Sequence, residues 1–412
     1  MTLDSFDHLN EARTGFYTDS HPPVIPALWS VVDRVIAGPA GMLLLQITTF
    51  QLGLYLIFRR TFGRVGAAIA ASGVLVFPPV MAPMAVIWKD CLMAGFLALG
   101  IGALPSERRW VRVAALLSLM LATAFRYNAF AATLPVVVLV FEWRPGLPRV
   151  RRYAIAAGAW LAITMTAFGL NAALTDRKMH FWHSSLAVFD IVGTLAHVDA
   201  VPDAELEKLF ADTGLRVHGD LHAKLRTAYT PRDFMPIIAK RHALWSLPIM
   251  GTTPAPQAQR DAIEVLWWDV VTEHPGAYLQ HRFAVLSEVL CLGEVGRPPL
   301  AVTPRDVRIP QLAGALGVST EWSPAQRTAT AWLEGIAEHT PLFVPWLYAV
   351  LAIVWLLLTR GSRDVFALLA SGLLLELTLL FLAPSPDYRY SHWLVICTTI
   401  GMVQLTARRL RS

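Results

Sequence analysis

Nine apolar stretches, at roughly 42–58, 66–86, 90–105, 111–125, 128–141, 153–174, 342–359, 364–383 and 391–407, dominate this chain, and the polar gaps between them alternate in character. One set of gaps is short and rich in arginine: Arg59, Arg60 and Arg64; Arg108, Arg109 and Arg112; Arg144, Arg149, Arg151 and Arg152; Arg360 and Arg363; Arg408, Arg409 and Arg411. The other set holds Asp4, Asp7, Asp19 and His21; Lys89 and Asp90; Arg126 and Asn128; the long segment 175–341; and Asp387, Arg389 and Tyr390. Apolar runs of near-spanning length are what the hydrocarbon core of a bilayer demands of a helix. Arginine concentrates in cytoplasmic turns, which places the second set together on the opposite face. A site assembled from several loops requires that common side.

Composition points the same way. Hydrophobic residues make up 55% of the chain and charged residues 16%, more apolar sequence than a soluble domain of this length can hide. The net charge of +5 does not indicate nucleic-acid binding, because the surplus arginine lies in the short turns, where it sets orientation and meets anionic lipid. Cys91, Cys291 and Cys397 are far apart and fit no metal spacing, so buried free thiols are expected.

The expected architecture is an all-α polytopic membrane protein in four parts. Residues 1–41 form an outer loop with an interfacial helix, and 42–174 a bundle of six spans. Residues 175–341 form a mainly helical extracytoplasmic domain, and 342–412 three more spans with a cytoplasmic tail. The short runs 111–125 and 128–141 are read as two spans joined by a tight outer turn, since that keeps Arg112 and Arg144 on one side; a single long buried helix is the competing reading. Segments 22–37 and 276–292 carry charges in mid-segment (Asp33 and Arg34; Arg282 and Glu288), so they suit helices lying at the interface. Within 175–341, the spacing of Leu206, Leu209 and Phe210 predicts a short helix closed by Gly214. By the parity of the spans residue 1 is already outside, so a further transmembrane helix upstream is expected.

Two groups of residues carry chemistry. The first is Asp4 and Asp7 with Thr18–Asp19–Ser20–His21–Pro22–Pro23, whose proline pair holds Asp19 and His21 in an extended lead into the next helix. A carboxylate there can take a proton from an attacking hydroxyl or fix a metal ion, and a histidine can do either. Helix capping and solvation are the plainer readings of such acids. The second group is Trp88–Lys89–Asp90, Phe125–Arg126–Tyr127–Asn128 and Pro386–Asp387–Tyr388–Arg389–Tyr390, each at the outer end of an apolar stretch. Charges there can snorkel or pair with each other. Against the arginine-poor trend of the outer loops, phosphate recognition is the sharper reading: arginine grips phosphate in a fork and lysine meets it as a point charge.

With these residues in order, the chain resembles the GT-C superfamily of polyprenyl-phosphate-dependent membrane glycosyltransferases, near the protein mannosyltransferase and aminoarabinose transferase families. The resemblance rests on Asp4–Ser5 with Asp19–Ser20–His21–Pro22–Pro23, on Arg126–Tyr127–Asn128–Ala129, on Glu273–His274–Pro275–Gly276–Ala277–Tyr278–Leu279 followed by Arg282, and on Asp387–Tyr388–Arg389–Tyr390–Ser391. It runs over most of the chain and is weakest in 200–265 and 295–340. It implies a GT-C-like bundle in the plasma (inner) membrane and sugar transfer from a polyprenyl-phosphate donor to a glycan, lipid or protein acceptor on the outer face. Carried over residue by residue, it implies that Asp4 and Asp19 are the family's acids and that Arg389 binds the donor phosphate. The reading of the residues themselves adds His21 to the catalytic candidates and Lys89, Arg126 and Tyr390 to the phosphate-binding ones, with Asp7, Asp90, Asn128 and Arg282 as secondary candidates. No protein metal site is expected, and the need for a divalent cation stays open. Two features depart from the family pattern: the absent first helix, and a large extramembrane segment placed before the last three spans.

Other readings stay open. Trp267, Trp268 and Tyr278 are core packing or a sugar-stacking platform. A transporter or flippase of a lipid-linked sugar would also need outer cations, and would use Glu376, inside a span, for proton coupling.

Overall fold

The computed structural model describes residues 1–144, 146–199, 201–215, 220–238, 244, 253–293, 308–359 and 362–410. Among these the chain is all-helical, with 76% of residues in helix, twenty α-helices and no strand. The first nine are α1 (Leu3–Thr14), α2 (Val24–Val35), α3 (Pro39–Phe58), α4 (Arg64–Val76), α5 (Pro78–Met84), α6 (Lys89–Ala103), α7 (Arg109–Phe125), α8 (Ala129–Val140) and α9 (Arg149–Leu174). Then come α10 (Val188–Ala196), α11 (Asp203–Phe210), α12 (Leu221–Ala228), α13 (Met235–Ile238), α14 (Gln257–Glu273) and α15 (Pro275–Val289). The last five are α16 (Ile309–Leu316), α17 (Pro324–His339), α18 (Pro345–Leu358), α19 (Arg363–Leu382) and α20 (His392–Arg409).

Sequence signals explain where these helices break. The residue before a proline is driven out of the helical region. Phe77, ahead of Pro78–Pro79, is extended, and α4 and α5 meet there at 73°. Arg126 is extended too, so α7 and α8 are separate helices joined by a tight turn. The two segments expected at the interface are helical, as α2 and α15, and Leu206 and Phe210 bury one face of α11.

Among the described residues three helices, α3, α9 and α19, are long and apolar enough to cross a membrane, and the bent pair α4–α5 makes a fourth if taken as one span. The other five expected spans are shorter or less apolar helices, of 12 residues in α8, 14 in α18, 15 in α6, 17 in α7 and 18 in α20. At 1.5 Å per residue these reach only about 18–27 Å. Leu161, Met165 and Phe168 on α9 and Val350, Ile353 and Leu357 on α18 are exposed, so both helices turn apolar faces outward.

The chain divides into two compact units. The first comprises the described parts of 1–176, 299–377 and 388–412, and the second those of 177–298 and 378–387. The expected boundary at 341 therefore moves: α16 and α17 belong to the first unit, where Arg13 on α1 donates from Nη1 to the Leu316 carbonyl at 2.6 Å. Within the first unit α6 packs between α3 and α7, and α20 packs on α18 and against α4, α5 and α6. Glycine permits the closest approach: a Cβ on Gly53 would collide with the backbone of Ala98 and Leu99. Gln46 on α3 donates to the Met84 and Val86 carbonyls at 3.0 and 2.9 Å, which fixes the strand-like lead into α6.

In the second unit α10 is the hub, packed on α12, α14 and α15. Cys91, Cys291 and Cys397 are buried free thiols, as expected.

Candidate functional site

The site of the first unit forms where the ends of α1, α6, α7 and α20 meet. Trp88 is extended, and α6 begins directly after it with Lys89 and Asp90 in its first turn, where a carboxylate suits the helix dipole. The amino-terminal helix is tied to the same place. Ser5 donates to the Ile87 carbonyl at 2.8 Å, and Trp88 Nε1 donates to Thr2 Oγ1 at 2.8 Å. Asp4 follows directly: one residue before a buried serine, it projects beside Lys89.

Residues 385 apart in sequence then meet. Arg389, in the short turn Tyr388–Ser391, donates from Nη1 to Asp4 Oδ2 at 2.5 Å. His21 Nε2 lies 3.9 Å from the other Asp4 oxygen, and His21 Nδ1 lies 3.2 Å from Lys89 Nζ. Arg126 is paired through Nη1 with Asp90 and donates from Nε to Asn128 Oδ1 at 2.9 Å. Arg389 Nε lies 4.0 Å from Asp90 as well. Tyr390 completes the cluster, with Arg126 4.9 Å and Arg389 5.6 Å from its ring centre. Arg389 also lies 5.1 Å from the Trp88 ring. Two guanidinium groups thus lie near one aromatic ring and one buried carboxylate, Asp90, which is 1% exposed.

The surroundings set the charge of each group. Burial opposes ionisation of Asp4, but Arg389, His21 and Lys89 outweigh it and hold its carboxyl well below the usual carboxylate range. Burial first, and Lys89 second, hold His21 well below the ordinary histidine range. His8, one turn along α1 from Asp4, is pushed down to about 4, mainly by burial. Its ring meets His21 edge-on at 5.0 Å, and neither of its nitrogens has a hydrogen-bond partner among the described residues. These shifts favour the ionised form of Asp4 and the neutral forms of His8 and His21.

Of the sequence candidates, Asp4, His21, Lys89, Asp90, Arg126, Asn128, Arg389 and Tyr390 come together. Asp19 lies beside the Arg126–Asn128 turn, where burial and its charge push the Tyr127 hydroxyl up to about 12. Asp7 acts elsewhere, on Glu11: burial, with Asp7 and Asp176 adding to it, pushes that carboxyl up to about 7 although Thr18 donates to it. Arg282 belongs to the second unit. There it is buried against Asp190 at 2.5 Å, and its Nη1 donates to the Ala383 carbonyl at 3.1 Å. Trp267 Nε1 donates to the same Asp190 at 2.9 Å, and its ring meets Trp268 and Tyr278 edge-on. Trp267 is thus bound into a buried polar network, whereas Trp268 is exposed.

Sequence reading missed His8 as a member of the site, and quoted Trp88 and Ser5 in its motifs without giving them a role. Asp4 and His8 are four apart on a helix, which places them on one face, and that spacing was the available signal. Among the described residues, no group of three or more His, Cys, Asp or Glu side chains is placed to hold a metal ion. No protein-family model, curated protein or solved structure matches the chain.

Proposed function

We propose that this chain is a multi-pass membrane glycosyltransferase of the GT-C kind, working on the outer face of the plasma membrane with a polyprenyl-phosphate sugar as donor. The observation that carries this reading is the meeting of Asp4, Lys89, Arg126 and Arg389 at the ends of apolar helices, with Tyr390 between the two arginines. Helices with outward apolar faces suit a lipid tail, and cations at their ends suit the phosphate that such a tail carries.

The chemistry is a single displacement. The acceptor hydroxyl forms a bond to the anomeric carbon, the bond from that carbon to the phosphate oxygen breaks, and the electron pair leaves with the phosphate. The hydroxyl proton goes to a carboxylate, Asp4 or Asp19. Lys89, Arg126 and Arg389 stabilise charge growing on the phosphate, where each preorganised contact is worth about 2.7–4 kcal/mol. In the resting state Asp4 is a weak base because Arg389 holds it ionised. Phosphate oxygens compete for the same guanidinium, so donor binding loosens this pair and raises the basicity of Asp4 when it is needed.

The test uses purified full-length protein, a panel of polyprenyl-phosphate sugars and an envelope fraction as acceptor. Free polyprenyl phosphate is the product measured. Asp4→Asn or Asp19→Asn should abolish turnover with donor binding nearly intact, whereas Arg389→Ala should weaken donor binding. Wild-type turnover in both aspartate variants would overturn the assignment.

A further inference from the structure

Glu376 is a carboxylate in the middle of α19, an apolar helix long enough to span a membrane, and it is 6% exposed. A charge in such a place is costly and is kept where it has a task. Its oxygen Oε1 accepts a hydrogen bond from Ser391 Oγ at 2.7 Å, and Ser391 is fully buried. Arg126 is the cation whose charge reaches it. Ser391 closes the Tyr388–Ser391 turn and stands directly before α20, with its hydroxyl turned to Glu376 and not to the helix end. The same turn is held at two further points, by Tyr388, whose hydroxyl donates to the Pro79 carbonyl at 3.1 Å, and by His392 Nε2, 3.2 Å from the Val80 carbonyl. Arg389 and Tyr390 stand between these fixed points.

We propose that Glu376 is a positioning residue for the anion site: through Ser391 it fixes the turn that aims Arg389 at Asp4 and lays Tyr390 between Arg389 and Arg126. This rests on the phosphate reading of those cations. It gives the buried carboxylate a static task, a hydrogen-bond acceptor, in place of proton coupling. Glutamine keeps the accepting oxygen and so conserves this task, whereas leucine removes it and leaves the Ser391 hydroxyl unpaired in an apolar interior.

Two measurements on the full chain in lipid nanodiscs test it. The first is hydrogen exchange of residues 388–391 without ligand. Exchange should rise in Glu376→Leu and Ser391→Ala and stay at the wild-type level in Glu376→Gln. The second is binding of a short prenyl phosphate. Affinity should fall about tenfold in Glu376→Leu and in Ser391→Ala, and no further in the double variant, because the two act through one contact. In Glu376→Gln it should stay within about twofold of wild type. Equal loss in Glu376→Gln and Glu376→Leu, additive losses in the double variant, or unchanged exchange in the turn would each overturn the proposal. If the turn loosens as expected but neither wild type nor Arg389→Ala binds prenyl phosphate, the positioning role stands and the phosphate reading alone fails.

Discussion

Asp4 and His8 stand one turn apart on α1, and folding shifts both in the same direction for opposite reasons. Asp4 has its proton affinity lowered because burial is outweighed by Arg389, His21 and Lys89, so its contribution to stability is present above the ordinary carboxylate range, near pH 4, and fades as pH falls below it. His8 is lowered from 6.5 to about 4 mainly by burial. Between those values the unfolded chain binds the proton more readily, so stability drops as pH falls from 6.5 toward 4, by about 3 kcal/mol at most. Replacing His8 by phenylalanine removes this term. Thermal unfolding of the purified protein should therefore show a melting temperature that declines between pH 6.5 and 4.5 in wild type and declines less in His8→Phe. Parallel curves would mean that His8 does not control this window. The sequence exposed Asp4 as a candidate because an acid stood in an outer loop beside cations. It hid His8, because burial of one histidine face depends on where α1 lands, and α1 is placed by Ser5 and Thr2 reaching Ile87 and Trp88 across more than 80 residues.

At the scale of elements, the apolar runs and proline pairs gave the helices and most of their breaks, because both effects are local. Helix length was less legible. An apolar run does not announce where its hydrogen bonding ends, which is why the run at 128–141 contains a 12-residue helix and the run at 66–86 bends at Phe77. The seam between α3 and α6 was not legible either, since nothing in one helix says which glycine another helix will touch. That seam sets the position of Lys89 at the head of α6. Valine at Gly53 would push into the Ala98–Leu99 backbone and should cost about 1–3 kcal/mol by overpacking. Valine at Gly158 on α9, where nothing lies within reach of a new Cβ, serves as control and should change stability by no more than about 0.5 kcal/mol. Denaturation midpoints of the two variants in one detergent check the contrast, and equal losses would show that the seam is loose.

The pairing of Asp4 with Arg389 belongs to the whole molecule, because no local spacing encodes a contact across 385 residues, and that of Asp90 with Arg126 depends on how α6 and α7 pack. What the sequence did carry was the grouping of these loops. Arginine-rich turns alternate with the loops that supply Asp4, His21, Lys89, Arg126 and Arg389, and all five of those residues meet in the first unit. The proposed topology puts this cluster on the outer face, an orientation that labelling can read. Asp19 and Tyr127 represent the cluster side and are reachable by solvent, while Arg64 and Arg109 represent the arginine-rich turns and are exposed. In a background with Cys91, Cys291 and Cys397 replaced, cysteines at Asp19 and Tyr127 should react with an impermeant maleimide in intact cells. Cysteines at Arg64 and Arg109 should react only after the membrane is opened, because arginine-rich turns face the cytoplasm. The reverse pattern would place the anion site in the cytoplasm, where a donor displayed on the outer leaflet could not reach it, and the proposed reaction would lose its substrate.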